Sequence, residues 1–374
     1  MGLVQTDDFR GSVGILTGAS LDRQGLGGTK AYVIGLAAFL RGRGIAVTLF
    51  TNGPVDGELV DCRLVPISAE HRPSTLSFHR ALHQWDPGTE LRSLDILHLQ
   101  RPDELWPLRK RALPPRVVCT LHGNPRRGIQ RRKGVLAGAI YRVIEASIIN
   151  RFAALIAVDP STAGQYRKFF PSLASKVHVI PNAVAPAWLE SSDASSPPGV
   201  SQPPHFLFAG RLSVEKRVDV IVAALRSSPL LEGARLTIAG AGPEERRLRN
   251  LSQGLNVRFV GVLDRVELAR LYHSADALVL ASEYEGLPSV AIEALACGCP
   301  VVALSDTGLE GTVRGRGTTA NSVETLPNAM AEAVRIRRSG VAIQPPNEFT
   351  WSAVGPQILD VYSQVTAIEE VGDS

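Results

Sequence analysis

Short segments that are apolar on both faces recur along this chain. In the first half, Val13–Thr17, Ile45–Thr51, Asp95–Leu99, Val117–His122, Ala154–Val158 and Val177–Ile180 have this pattern, which predicts strands buried in a parallel sheet. Between the first two, Lys30–Gly42 has helical period, and Gly42 and Gly44 mark its end. Strand, helix, strand in that order predicts βαβ units. Residues 186–204 interrupt the pattern: five Pro, five Ser and a Gly cannot build a core, so the stretch reads as a linker. The alternation then restarts with predicted strands at His205–Gly210, Arg235–Ala239, Val257–Gly261, Ala277–Ala281 and, as the last, Pro300–Leu304. Helices are predicted from about Ser213 to Arg226, Pro243 to Gln253, Asp264 to Ser274 and Pro288 to Cys297, then over Asn321–Arg338 and Trp351–Glu370. The expected fold class is α/β, with two Rossmann-like, doubly wound parallel-sheet domains facing across a cleft. Residues 1–185 form the first domain, 186–204 the linker, 205–345 the second domain and 346–374 a helical tail. Such sheets bind ligands outside the carboxyl ends of their strands, so chemistry is sought in the loops after strands.

Composition changes this picture little. The 374 residues suit two or three domains, and 44% hydrophobic with 20% charged residues is ordinary for a globular chain. Four cysteines (Cys62, Cys119, Cys297, Cys299) form no CxxC, which disfavours a zinc or disulfide scaffold and points to a reducing compartment. Asp7, Asp8 and Arg10 before a short apolar run do not make a secretory signal. The best candidate for a membrane span, Val135–Val158, is broken by Arg142, Glu145 and Arg151. A cytoplasmic location is expected, with peripheral contact at the inner membrane face open.

Charge is more informative. Residues 1–190 carry 24 Lys and Arg against 15 Asp and Glu, and the remainder 16 against 21. Ten cations lie between Arg101 and Lys133, opposed only by Asp103 and Glu104. Two readings stand: attraction to an anionic partner, either a membrane surface or a phosphorylated acceptor, and a plain solvated face. An aromatic content of 6% offers no stacking platform for single-stranded nucleic acid, so none is expected as a partner.

The glycine-rich loops fail the dinucleotide fingerprint. Gly25-Leu-Gly27-Gly28-Thr29-Lys30 and Gly240-Ala-Gly242-Pro-Glu-Glu245 both lack the last glycine of GxGxxG, and no GxxxxGK[ST] occurs. Gly27 and Gly28 lie between the first strand and the first helix, where backbone N–H groups can approach a phosphate or sugar, or where the pair simply makes a turn. In Gly210-Arg211-Leu-Ser-Val-Glu-Lys216, Arg211 on the loop and Lys216 near the helix start can both point into a cleft and suit a diphosphate. Taken alone, they equally suit surface charges paired with Glu215. Glu285-Gly-Leu-Pro-Ser-Val-Ala-Ile-Glu293 is the sharpest signal. Pro288 fits a helix first turn and Gly298 its C-terminal cap. The backbone N–H groups of Gly286 to Ser289 would crown an anion site. Glu285 could accept hydrogen bonds from a sugar, and Glu293 from a ribose.

Arg211-x4-Lys216, Glu285-x7-Glu293 and ALACGCPVVA, in that order, resemble the GT-B-fold, retaining, nucleotide-sugar-dependent glycosyltransferases of family 4, also called glycosyl transferases group 1. GLGGTKAYVIGLAAFLRGRGIAVTLFT, DILHLQ, VVCTLHG, VIPNAV and GRLSVEKRVDVIVAAL extend the resemblance over nearly the whole chain. It implies that Arg211 and Lys216 hold the donor diphosphate, with Gly27 and Gly28 lining the cleft from the first domain. It further implies that Glu285, Gly286, Leu287, Pro288 and Ser289 bind the donor sugar, and that Glu293 binds the ribose. Gly240, Gly242, Val262 and Leu263 would lie near the base. His122 matches the family's histidine near the reacting centre, which makes His122 and Glu285 the candidate catalytic residues; His98 reads as structural. The tail is expected to pack back on the first domain. Lys30, and Asn182-Ala-Val-Ala185, depart from the family's usual acidic residue and Asn-Gly-Val-Asp, which touches acceptor-side detail. No Asp-x-Asp suggests a metal-bridged diphosphate, so no cofactor and no metal requirement are expected.

The implied reaction moves a hexosyl group from a UDP- or GDP-sugar to an acceptor hydroxyl with retained configuration, the acceptor being a small molecule or lipid-phosphate-linked. The alternatives are a nucleotide-sugar epimerase or a phosphorylase on a similar fold, and a sugar-binding protein that has lost catalysis. A pyridoxal-phosphate phosphorylase would need a Schiff-base lysine, for which the sequence gives no separate signal.

Overall fold

A computed structural model describes residues 9–19, 21, 27–53, 62–68, 74–87, 89–185, 188, 202–282, 286–304, 309–340, 343 and 347–367. The chain divides into two compact units. Unit 1 comprises 1–23, 29–183 and 348–374, and unit 2 comprises 24–28 and 184–347.

Unit 1 is built on seven parallel strands: β1 Ser12–Thr17, β2 Ala46–Asn52, β3 Arg63–Ser68, β4 Ile96–Leu99, β5 Arg116–Leu121, β6 Ala154–Ala157 and β7 Val177–Val179. Their spatial order is β3-β2-β1-β4-β5-β6-β7. The order reverses between β1 and β4, which is the switch point where such sheets take ligands. The helices are α1 Gly28–Gly42, α2 Thr75–Gln84, α3 Leu105–Leu108, α4 Pro125–Ile148 and α5 Pro160–Phe169. The central strands are buried apart from the first residues of β1 and β5, Ser12 and Arg116, as mainly apolar runs in a parallel sheet should be.

Unit 2 has six parallel strands: β8 His205–Ala209, β9 Arg235–Ala239, β10 Val257–Gly261, β11 Ala277–Leu280, β12 Val301–Leu304 and β13 Gly317–Ala320. Their order is β10-β9-β8-β11-β12-β13, with the switch between β8 and β11. Its helices are α6 Val218–Ser227, α7 Glu245–Leu251, α8 Arg265–Ser274, α9 Ser289–Ala296, α10 Glu310–Val313 and α11 Leu326–Arg338. Both are doubly wound α/β sheets, so the fold class read from the alternation stands. At the opposite edge of the sheet, Asp276, fully buried, ties the amino ends of β8 and β11: its carboxylate accepts from His205 N at 2.8 Å and from both Arg338 Nε (2.7 Å) and Arg338 Nη2 (2.8 Å). The pair satisfies a buried charge that would otherwise be costly.

The last helix, α12 Trp351–Ala367, belongs to unit 1. Trp351, Val354, Ile358, Tyr362 and Val365 join the core formed by β1, β2 and α1. The crossing with α1 depends on two glycines. A Cβ on Gly35 would sit 2.2 Å from Trp351 Nε1, and one on Gly355 would sit 2.2 Å from the Phe39 ring. Each helix thus offers a bare backbone to an aromatic ring of the other.

The differences from the sequence reading have physical causes. Pro300–Leu304 is not the last strand, because β13 follows it. β13 is a four-residue edge strand, Gly-Thr-Thr-Ala, too short and polar to stand out. β3 is an edge strand too, half-exposed and carrying Pro66, which an edge tolerates. The helix expected from Ser213 is split. Val214–Lys216 forms one 3₁₀ turn, Arg217 adopts φ 49°, and α6 starts at Val218. Lys216 therefore lies before the helix rather than in its first turn. In the sequence α4 shows only as an apolar run too broken by charge to span a membrane; it is kinked at Gly134 (φ 88°), where a basic half meets an apolar half. Of the linker, only Trp188 and residues 202–204 are among the described residues.

Candidate active site

In unit 2 the carboxyl ends of three adjacent strands are tied by backbone. Gly210 N donates to Ala239 O (2.9 Å), Leu212 N to Ala241 O (3.0 Å), Glu244 N to Leu212 O (3.0 Å) and Gly240 N to Gly261 O (2.6 Å). A Cβ on Gly240 would lie 1.9 Å from Gly210 O, and one on Gly242 2.2 Å from Leu212 O. Gly240 and Gly242 are glycines because two loops touch there. The contact holds the Arg211 loop in place. Arg211 is exposed and Lys216 half-exposed on that loop. Val262 is 55% exposed on the neighbouring loop, and Leu263 follows it half-buried.

β8 and β11 are hydrogen-bonded neighbours. The loop after β8 and the segment leading into α9 therefore leave the same edge of the sheet side by side. Pro288 occupies the N-cap of α9 with no side-chain cap, so the first N–H groups of the helix are left for another acceptor. Pro288 itself has no N–H. The amides before and at the helix start are those of Gly286, Leu287 and Ser289, which corrects the unbroken run read from the sequence. After Ser289, α9 is apolar but for Glu293, which is 6% exposed. Burial raises the Glu293 carboxyl to about 7, against the lowering effect of hydrogen bonds from Ser289 and Tyr272. Gly27 and Gly28 group with unit 2, where a Cβ on Gly28 would meet Ser289 Oγ at 3.3 Å. Glu285 lies outside the described residues.

In unit 1, His122 follows β5. Its Nε2 lies 2.9 Å from Gln100 Oε1, which makes Nε2 the protonated nitrogen, and its ring meets Tyr32 edge-on at 4.8 Å between centroids. Burial lowers its pKa to about 4, with an Asn182 hydrogen bond opposing, so the ring is neutral at pH 7. His98 is fully buried, its Nδ1 2.6 Å from Tyr362 Oη and its Nε2 2.7 Å from Thr120 Oγ1. Both nitrogens are engaged inside the core.

The sequence reading missed a charged cluster after β4. Glu104 accepts from Gly18 N (2.8 Å), Gln100 N and Arg101 N (both 3.1 Å). Burial pushes its carboxyl up to about 8 despite Arg101 nearby. Asp103 is paired with Arg101 (2.9 Å) and His79 (3.1 Å). Gln100 Nε2 is buried with no hydrogen-bond partner. A cavity of about 210 Å³ opens here, at the β1/β4 switch, lined among others by Thr17, Gly18, Thr29, Thr75, His79 and Arg101. The available signal was Gln-Arg-Pro-Asp-Glu directly after a buried strand, where ligand loops are expected. Among the described residues, no group of three His, Cys, Asp or Glu side chains could hold a metal ion, and no helix is long and apolar enough to cross a membrane.

Two family models match consecutive parts of the chain: Glycosyltransferase Family 4 over residues 26–188, and Glycosyl transferases group 1 over 193–337. Both are glycosyltransferase models, and in succession they run over most of the chain, which is thus similar to glycosyltransferases along its length. Over 268 residues, the chain is 32% identical to glycogen synthase of Mycobacterium tuberculosis, a match covering 66% of this chain and 62% of that protein. It is 33% identical over 179 residues to the GDP-mannose-dependent alpha-(1-6)-phosphatidylinositol dimannoside mannosyltransferase of the same species, covering 44% and 45%. The matched stretches thus span less than two thirds of these curated relatives. Among solved structures, sucrose-phosphate synthase from Thermosynechococcus elongatus superposes with a TM-score of 0.73 at 21% identity, covering 96% of this chain and 100% of that one, a likeness of fold.

Proposed function

We propose that this chain is a glycosyltransferase that moves a hexosyl group from a UDP- or GDP-sugar to an acceptor hydroxyl with retention of anomeric configuration. The observation that carries the reading is in unit 2. The loop after β8, which carries Arg211 and Lys216, leaves the sheet at the switch point next to the segment leading into α9, a helix with no side-chain cap at its N-terminus and one buried carboxyl, Glu293. Arg211, Lys216 and the amides of Gly286, Leu287 and Ser289 take the diphosphate and the transferring sugar. Their charge stabilises the leaving nucleoside diphosphate as its bond to the anomeric carbon breaks, with no metal needed for that step. Glu293 accepts from the ribose hydroxyls. Glu285 and the neutral His122 serve the sugar near the reacting carbon, the phosphate oxygen of the leaving group taking the acceptor proton on the same face.

The acceptor carries a hydroxyl and is a small molecule or is linked to a lipid phosphate. The names of two relatives support this reading in part: one is a mannosyltransferase dependent on GDP-mannose, acting on a phosphatidylinositol dimannoside, and the other a glycogen synthase. The enzyme works in the reducing cytoplasm, in keeping with four cysteines of which none is in a disulfide.

The test is a proton-NMR assay of UDP- and GDP-hexoses with a panel of hydroxyl acceptors, run with and without EDTA. The expected result is nucleotide diphosphate release that depends on acceptor, survives EDTA and gives a product with the donor's anomeric configuration. An inverted product overturns retention. Conversion of the donor without acceptor indicates an epimerase, and consumption of free phosphate a phosphorylase.

A further inference from the structure

The apolar half of α4 is turned outward. Val135 is 73% exposed, Leu136 76% and Val143 71%, three of the four largest apolar exposures on the described surface, and Ile140 is 54% exposed beside them. Ala139 and Ala146 are exposed between them. At 3.6 residues per turn these six positions fall within about 140° of arc. The opposite face is anchored in unit 1: Tyr141, Glu145 and Ile148 are buried, and Glu145 accepts from Tyr166 Oη and Arg126 Nε. The outward stripe is therefore not a helix misassigned to the surface; its inner face is already satisfied.

The charge that precedes the stripe in the sequence selects the occupant. Arg127, Arg131, Arg132 and Lys133 precede the Gly134 kink, and Arg142 is exposed at the edge of the stripe. No acidic residue lies between Asn124 and Ile144. A second copy docking stripe to stripe would bring two such cationic segments together, which costs free energy. An anionic lipid surface satisfies both parts, taking the apolar side chains into its acyl boundary and the cations at its headgroups.

We infer that α4 is a membrane-surface helix, with Val135, Leu136, Ile140 and Val143 inserting and the Arg127–Lys133 segment contacting anionic headgroups. This holds whether or not the proposed transfer reaction is correct, because it concerns binding to vesicles alone.

The experiment is co-sedimentation of the full chain with phosphatidylcholine vesicles, with and without phosphatidylglycerol, at low and high salt. Two variants are compared: Val135→Ser/Leu136→Ser/Ile140→Ser and Arg131→Gln/Arg132→Gln/Lys133→Gln. The wild type should bind phosphatidylglycerol vesicles at low salt and lose much of that binding at high salt. Each cation near an anionic surface contributes about a fivefold factor, so the charge variant should bind roughly 100-fold more weakly. The serine variant should also lose binding while keeping the wild-type melting temperature, because its residues are exposed. Failure to bind vesicles, binding indifferent to anionic lipid, or serine and charge variants that both bind like wild type would overturn the inference. So would concentration-dependent self-association, abolished by the serine variant, in place of vesicle binding. If the serine variant does not fold, the charge variant and the salt series still decide.

Discussion

Glu293 and Glu104 sit in different units yet share one electrostatic condition: burial raises both carboxyls, to about 7 and about 8. Between the ordinary carboxylate range and those values, the folded chain holds protons that the unfolded chain has released. Stability should therefore fall as pH rises from about 5 to 9, by about 1.4 kcal/mol at each site for every tenfold difference in proton affinity between the folded and unfolded chain. Chemical denaturation across that range checks it; stability rising with pH would contradict the assignment. Nucleotide binding should follow the opposite trend, because in the proposed contact ribose hydroxyls donate to the ionised form of Glu293. Affinity should increase through pH 7 in the wild type, and Glu293→Gln should flatten that rise. His122 behaves differently. Its pKa of about 4 places it outside the working range, so turnover should show no limb from this ring between pH 5.5 and 8. His122→Ala should lower turnover roughly 100-fold, a usual size for a group at a reacting centre, with a melting temperature lowered by the loss of its Gln100 and Tyr32 contacts.

The elements show what was legible in the sequence. Buried strands such as Ala154–Ala157 and Ala277–Leu280 are apolar throughout and stand out at once, and Pro288 and Cys297 bound α9 to within a residue. The edge strands β3 and β13 were hidden because half-exposed strands need little apolar sequence. The split at Arg217 was hidden for another reason: a left-handed φ at arginine has no sequence mark. Arg217→Gly should be neutral or stabilise by up to about 1 kcal/mol, since glycine adopts that conformation without strain. Gly240→Ala should do the reverse. Its φ is 137° and the methyl would press on Gly210 O, so the Arg211 loop must move. A melting temperature lowered by several degrees, with weaker nucleotide binding, is expected; an unchanged protein would show that this loop contact is not what holds Arg211. The polar cluster at Gln100–Glu104 escaped notice because its residues are separately ordinary and acquire meaning only where β4 meets the β1 loop.

At the scale of the whole molecule, each unit has its own sheet, core and switch point, and α12 completes the core of unit 1 although it comes last in the chain. Tyr362→Phe would leave His98 Nδ1 without its partner inside that core and should cost about 1–3 kcal/mol, read as a loss in denaturation midpoint. The account as a whole turns on unit 2 as a nucleoside diphosphate site. Thermal shift with UDP, GDP, ADP and dTDP measures this most directly, on wild type and Arg211→Ala together. At 100 times its dissociation constant, the matching nucleotide should stabilise the wild type by about 2.7 kcal/mol, and the variant clearly less. A wild type indifferent to all four nucleotides, or a variant that responds in full, would contradict it.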